Sequence, residues 1–329
     1  MGLPEIFISF QTAAVSAITR SARGVLAVAV KDATAGGATE AAYKSLAEVP
    51  EDKFSPENYR LLKLAFLAAP AKVWVLRVGE DAEKTYQALE RLRFDWLAAP
   101  GLEDARVMSF IKTLRNGGRG VKAVVANATA PDCEGIVNLC VSGLTLEDGA
   151  MEAKDYAVRV AALLAALPLT RSATYVNLPE VVGCVHGREG YRLGRAVNSL
   201  TTLTPDKAAP FQKIKIVEGI DLIRGDIAKA FESGYVGKVL NDYDNKLLLV
   251  TAINAYLKGL EGNVLDKTAD NRCFVSLSGQ RSYLESRGTD TSEMTDTDIL
   301  KANTGSQVFL EAKLTFCDAM EDLALVISM

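Results

Sequence analysis

Residues 72–98 read KVWVLRVGEDAEKTYQALERLRFDWLA, and this stretch decides the fold class. Lys72–Val78 is a short run rich in β-branched and aromatic residues, closed by Gly79, and it reads as a strand. Ala82–Phe94 then changes to helical spacing, and a second short strand ends at Ala98. The same alternation extends in both directions. Upstream, Val25–Val30 is a strand and Asp32–Thr39 a Gly/Ala/Thr loop. Ser55-Pro56-Glu57 supplies an N-cap, a first-turn proline and an early acid. The helix it opens carries Tyr59, Leu62, Phe66 and Leu67 until Pro70 stops it. Downstream, the pattern predicts helix Leu102–Arg115, strands Val121–Ala126 and Ile136–Val141, and helix Ala153–Leu167. Strands alternating with helices of this length imply βαβ units and a largely parallel sheet, an α/β fold.

Past Pro179 the character changes. Val181–Val185 and Tyr191–Val197 read as a hairpin around Gly187-Arg188-Glu189-Gly190. Helices are expected near Ile220–Ser233 and Asp244–Leu260, the second with Leu247, Val250, Ile253, Asn254 and Leu257 as its core face. A small strand at Cys273–Leu277 and a short helix near Asp298–Ala302 precede a long final strand.

Both ends are apolar and strand-like. At the start, Ile6, Ile8 and Phe10 alternate with Glu5, Phe7 and Ser9 within Leu3–Phe10. At the end, Val308, Leu310, Ala312, Leu314 and Phe316 alternate with Glu311, Lys313 and Thr315. A further apolar run, Leu323–Ile327, follows Asp318-Ala-Met-Glu-Asp322. Chain ends are usually polar and frayed, and an apolar strand at a free end needs a partner edge, its own or a neighbour's.

Bulk properties exclude several classes. The 329 residues are 49% hydrophobic and 24% charged, so a sizeable core needs neither disulfides nor metals. The net charge is −4 and the densest basic stretch, Arg91–Arg93, is followed by Phe94, Asp95 and Trp96; no nucleic-acid partner is expected. The five cysteines form no C-x-x-C pair and read as reduced small hydrophobes. No secretory signal is expected at the N-terminus, and Ile6 stands where a myristoylation pattern needs Ser or Thr. Ala157–Leu169 and Leu247–Leu257 fall short of the roughly 20 residues of a membrane span.

The segments Arg195-Ala-Val-Asn-Ser-Leu-Thr-Thr-Leu-Thr204 and Tyr235-Val-Gly-Lys238 with Asn241-Asp-Tyr-Asp-Asn-Lys246 belong together with two others. These are Asn303-Thr-Gly-Ser306 through Asp318-Ala-Met-Glu-Asp322, and Gly2-Leu-Pro-Glu-Ile6 through Arg23-Gly24. In this order they resemble contractile tail sheath proteins of defective prophages and phage-tail-like bacteriocins of Gram-positive bacteria. The resemblance implies a subtilisin-like α/β core domain without a catalytic triad, an α+β C-terminal domain and extended β-strand arms at both termini. The implied parts are an N-terminal arm (1–20), an N-terminal α/β subdomain (21–90) and the core domain (91–215). A tube-facing C-terminal domain (216–305) and a C-terminal arm (306–329) complete them. It implies strand exchange through Leu3, Ile6, Ile8, Phe10, Val308, Leu310, Leu314, Phe316, Leu323, Leu325 and Ile327, and tube-facing charges at Arg224, Lys229 and Glu232. Implied partners are further copies, a tail tube, a baseplate and a tail terminator, with neither nucleic acid nor membrane. Assembly in the bacterial host cytoplasm is likewise implied.

Sharper chemistry finds little footing. A Ser-His-Asp triad needs an imidazole base, and the single histidine, His186, sits in an expected turn with no G-x-S-x-G in the chain. Asn116-Gly-Gly-Arg-Gly120 lies between helix and strand, the reverse of a phosphate cradle, and reads as a helix cap and turn. Asp290, Glu293, Asp296 and Asp298 lack the glycine and closing glutamate of a calcium loop; Thr295–Asp298 reads as a capping box. Asp318, Glu321 and Asp322 are either a solvated turn or a contact to another subunit. No cofactor or metal is expected. The rival readings are a cytosolic α/β hydrolase or nucleotide-dependent enzyme, and a plain oligomeric binding module.

Overall fold

The structure, a computed structural model, describes residues 18–21, 23–183 and 191–328. The expected strand Leu3–Phe10, with Leu3, Ile6, Ile8 and Phe10, and the turn carrying His186 lie outside them. The chain divides into two compact units, Ser21–Gly225 with Cys317–Met329, and a second built on Asp226–Phe316.

The first unit runs β1 (Val25–Val30), β2 (Glu40–Tyr43), α1 (Pro56–Phe66), β3 (Lys72–Arg77), α2 (Ala82–Arg91) and β4 (Trp96–Ala98). It continues with α3 (Asp104–Asn116), β5 (Lys122–Ala126) and β6 (Ile136–Leu139). Among the described residues these strands form a sheet in the order β2-β3-β1-β4-β5-β6, parallel throughout except for β2 at the edge. The alternation expected of a sheet covered on both faces is carried by side-chain period. Leu26, Val28, Val73, Val75, Trp96 and Val124 enter one core, with Leu62 and Ala65 of α1. Ala27, Ala29, Leu76, Leu97, Ala123 and Val125 enter the other, with Leu89 of α2 and Ile111 of α3. Ser55 caps α1 by accepting from the Asn58 amide, as its sequence position implied. Gly118, at φ +88°, turns the chain after α3, and the Gly118 and Arg119 amides bond back to Arg115 and Leu114 carbonyls.

A hairpin of β7 (Leu144–Leu146) and β8 (Gly149–Met151) precedes α4 (Ala153–Ala166), which packs on the same face as α1. The expected 181–197 hairpin is corrected here. β9 (Val181–Gly183) pairs antiparallel with β7, while the Leu178 amide bonds to the Tyr191 carbonyl and the Leu193 amide to Val176. Each segment finds a nearer edge than the other. α5 (Ile214–Gly234) starts six residues before the expected Ile220, because Ile214, Ile216 and Val217 are buried and packing overrides their weak helix propensity.

The second unit contains α6 (Tyr243–Leu260), β10 (Arg272–Val275), α7 (Leu277–Ser286), α8 (Asp296–Lys301) and β11 (Leu310–Lys313). β10 and β11 pair antiparallel, Arg272 opposite Lys313. The Thr295 capping box opening α8 is formed in both directions. The core face of α6 is rotated from expectation: Leu249, Ala252, Ile253, Tyr256 and Leu257 are buried, while Leu247 is 40% exposed. Two polar anchors set that rotation. Lys246 is drawn inward by Gln280 (2.6 Å) and Thr304 (3.1 Å), and the Tyr256 hydroxyl donates to Asp226 at 2.7 Å.

Candidate functional site

The final residues leave a contiguous run of large apolar side chains in solvent. Leu323, Leu325, Val326 and Ile327 are 71–89% exposed, and Met320 is exposed with them. Single exposed hydrophobes are ordinary, whereas a contiguous strip marks a surface awaiting a partner. Contrary to the expected strand, no regular secondary structure is assigned over 317–328. A lone extended segment has no ladder to join. The long final strand shrinks likewise to β11, with Val308, Leu310, Leu314 and Phe316 half-buried along it.

The base of this strip is tightly held. Glu321 accepts from the Thr174 hydroxyl at 2.6 Å and the Ser172 hydroxyl at 2.9 Å, and its other oxygen takes the Lys213 ammonium. Arg195 donates to Asp322 at 2.5 Å, Lys213 also reaches Asp318 at 3.5 Å, and Lys215 donates to the Cys317 carbonyl. Burial alone would raise the Glu321 carboxyl, but Lys213 and the two hydroxyls outweigh it and hold it down at about 2. The acidic cluster that sequence left as turn or contact is therefore bonded within its own chain. Ser172, Thr174, Arg195 and Lys213 were not identified from sequence; they lie over 100 residues from the acids, and no local pattern links them.

In the second unit, two segments that carry the family resemblance meet. Asn241 donates through Nδ2 to the Gly305 (2.7 Å) and Gln307 (2.9 Å) carbonyls and to Thr304 Oγ1 (3.2 Å). The buried Lys246 ammonium joins the same loop through Thr304. Burial pushes this ammonium down, with Asp242 opposing. Together they fix loop 303–307 immediately before β11. On α5, Arg224, Lys229 and Glu232 are all exposed.

The sheet's switch point, between β1 and β4, is where an α/β enzyme commonly keeps its chemistry. Here Asp32, just past β1, is a structural acid. It accepts from the Thr34 and Ser55 amides (2.9 Å each) and Asn58 Nδ2 (2.8 Å), with Arg77 at 3.6 Å. Burial raises its carboxyl, but these bonds prevail and hold it at about 2. Among the described residues no cluster of three or more His, Cys, Asp or Glu is placed to hold a metal. Nor is any helix among them long and apolar enough to cross a membrane.

A tail sheath protein from Clostridium phage phiCD119 is 33% identical, covering 100% of this chain and 99% of its own. The chain belongs to the phage tail sheath family. The sheath subunit also matches the phage tail sheath C-terminal domain family over residues 206–329. Its fold resembles the contracted-state sheath of the anti-feeding prophage, with a TM-score of 0.70 at 13% identity over 100% of this chain and 99% of that one. It also resembles the sheath tail protein of Desulfitobacterium hafniense, at a TM-score of 0.67 and 16% identity over 82% and 93%. The sheath subunit is thus a structural component of a phage tail or tail-like particle, with a mixed α/β fold.

Proposed function

We propose that the subunit polymerises with itself as stacked hexameric rings around a tail tube, and that the polymer shortens to drive the tube through a cell envelope. The observation that carries this reading is the exposed strip Leu323–Ile327 in a chain of the tail sheath family. The strip adds to the edge of a neighbour's sheet, with Val308, Leu310, Leu314 and Phe316 alongside, and Leu3, Ile6, Ile8 and Phe10 serve in the same way at the other end. In this reading residues 1–20 and 306–329 are linking arms, and 21–90 is an N-terminal subdomain. Residues 91–215 are the subtilisin-like core, and 216–305 face the tube, with Arg224, Lys229 and Glu232 toward it. Baseplate and terminator proteins cap the polymer, and assembly takes place in the host cytoplasm.

The subunit works without catalysis. Free energy is stored in the extended lattice at assembly and released as subunits repack; paired main-chain ladders survive while domains turn about loops. A bound template stabilises only the state it fits, so tube and baseplate select the extended lattice. A bias of about 1.4 kcal/mol per subunit is already tenfold. Subunits expressed alone are expected to form hollow cylinders in the contracted lattice, with a lumen too wide to grip a tube. Cryo-electron microscopy reads this directly, and a narrow, tube-sized lumen would rule out the stored-energy mechanism. His186→Ala is expected to leave assembly and contraction unchanged; a peptidase or esterase activity lost in that variant would return the chain to the enzymes.

A further inference from the structure

We propose that residues 317–322 form a latch, bolted by Glu321 to Ser172, Thr174 and Lys213, which fixes the base of the arm on its own subunit and opens when Glu321 is protonated. This rests on the reading of Leu323–Ile327 as the strip that a second copy receives. The bolt is built like a core contact. The Glu321 side chain is only 5% exposed, while Leu323, two residues on, is 89% exposed. Glu321 is thus a single buried side chain between exposed neighbours, Met320 before it and Asp322 after it. Thr174 is itself set in place, accepting the Ala196 amide at 2.9 Å and donating to Glu321. Asp322 with Arg195 and the Cys317 carbonyl with Lys215 secure the two ends of the segment.

The consequence for assembly is preorganisation. A strip on a loose tether loses the conformational freedom of its whole tether when it docks. A strip whose base is bolted has lost that freedom already, and it leaves the subunit from a fixed point.

The charged groups facing Glu321 are Lys213 and Arg195 on one side and Asp318 and Asp322 on its own segment. The folded Glu321 carboxyl sits below its ordinary 4.5, at about 2. Its contribution is complete above about pH 4.5 and is lost as pH falls toward 2. Lys213 is raised by its bond to Glu321, so its share is present below its ordinary value of 10.5 and disappears only as pH rises past the folded value. Between these limits the latch is closed.

Glu321→Gln copies the protonated state without acid, setting an amide against the Lys213 ammonium. Limited proteolysis of the full chain below its polymerisation threshold is expected to cut within 317–322 about tenfold faster at neutral pH, because cleavage follows the population of the open segment. Cleavage in β1 and β5 should not change. The critical concentration for polymerisation should rise by about the same factor. Lys213→Met, which keeps the stem and removes the charge, is expected to do the same and serves if the first variant misfolds. Unchanged cleavage within 317–322 in a folded variant overturns the latch, even if polymerisation suffers, since Glu321 would then be a contact between subunits. Failure of the strip reading itself is a separate result, read from a chain that lacks the strip.

Discussion

A chain ending at Asp322 is expected to fold normally and to stay monomeric. The removed residues include Leu323, Leu325, Val326 and Ile327, all at least 71% exposed, and none belongs to either core of the first unit. The latch residues remain, so nothing buried is uncovered and the unfolding midpoint should match the full chain. Association is different. Burying one such side chain stabilises by about 1.5–3 kcal/mol, so four supply about 6–12 kcal/mol per docked arm before ordering costs. Loss of even about 3 kcal/mol of that weakens association more than a hundredfold. Sedimentation velocity and electron microscopy at concentrations where the full chain forms cylinders should show monomers alone. Normal cylinders from the truncated chain would mean that another surface links the subunits. A truncated chain that cannot fold would mean that the strip belongs to its own subunit's core.

How much of this was legible beforehand depends on range. β1, α1 and β3 were readable because period, cap and stop lie within a few residues: Ser55 and Pro56 at one end of α1, Pro70 beyond the other. β2, β7 and β8 were missed because three- and four-residue strands such as Gly149–Met151 have no period to detect, and pairing alone defines them. α7 was hidden by Ser278 and Gly279, poor helix formers inside a segment that Ser276 caps. The apolar run at the end was plain in the sequence, yet its state was not, since a strand exists only with a partner edge. Its anchors were invisible for the opposite reason. Glu321 meets Ser172 across 149 residues and Lys213 across 108, and complementarity of charge over such separations gives no local signal. The turn Gly117–Gly120 was correctly separated from a phosphate cradle by its helix-to-strand order, but what its last glycine makes room for lies a hundred residues away.

That neighbour is Asp221, and its replacement is expected to destabilise the first unit as much as truncating a large core side chain. Arg115 reaches it with two nitrogens, at 2.8 and 3.2 Å, and Lys122 with a third, at 3.0 Å. One turn earlier on α5, Glu218 accepts from Trp96 Nε1 at 2.8 Å and pairs with Lys122 at 3.1 Å and with Arg23. Arg115 also meets Glu134 at 3.1 Å. The side chains of Arg115, Lys122, Glu134, Glu218 and Asp221 are all less than 10% exposed, so with the mostly buried Arg23 they are compensated by one another rather than by water. Burial pushes Lys122 down and would raise Asp221; the nearby cations Lys122 and Arg115 keep Asp221 ionised. Asp221→Ala removes the carboxylate that Arg115 and Lys122 share, with three buried charged hydrogen bonds, and leaves Arg115 to Glu134 and Lys122 to Glu218, a change that costs about 3–5 kcal/mol. Typical total stability is only about 5–15 kcal/mol. The exposed pair Arg106–Glu83, 55% exposed on both sides, is the internal control and should cost about 0–1 kcal/mol when broken. Gly120 belongs to the same arrangement, since a Cβ there would stand 2.7 Å from Asp221 Cβ, so Gly120→Ala should move in the same direction. Guanidinium unfolding with an unchanged slope measures each cost as a shift in midpoint. If Asp221→Ala fell within about 1 kcal/mol of the parent, the network would be no stronger than a surface pair, and α5 would owe its place to buried apolar residues such as Ile214, Val217, Leu222 and Ile223.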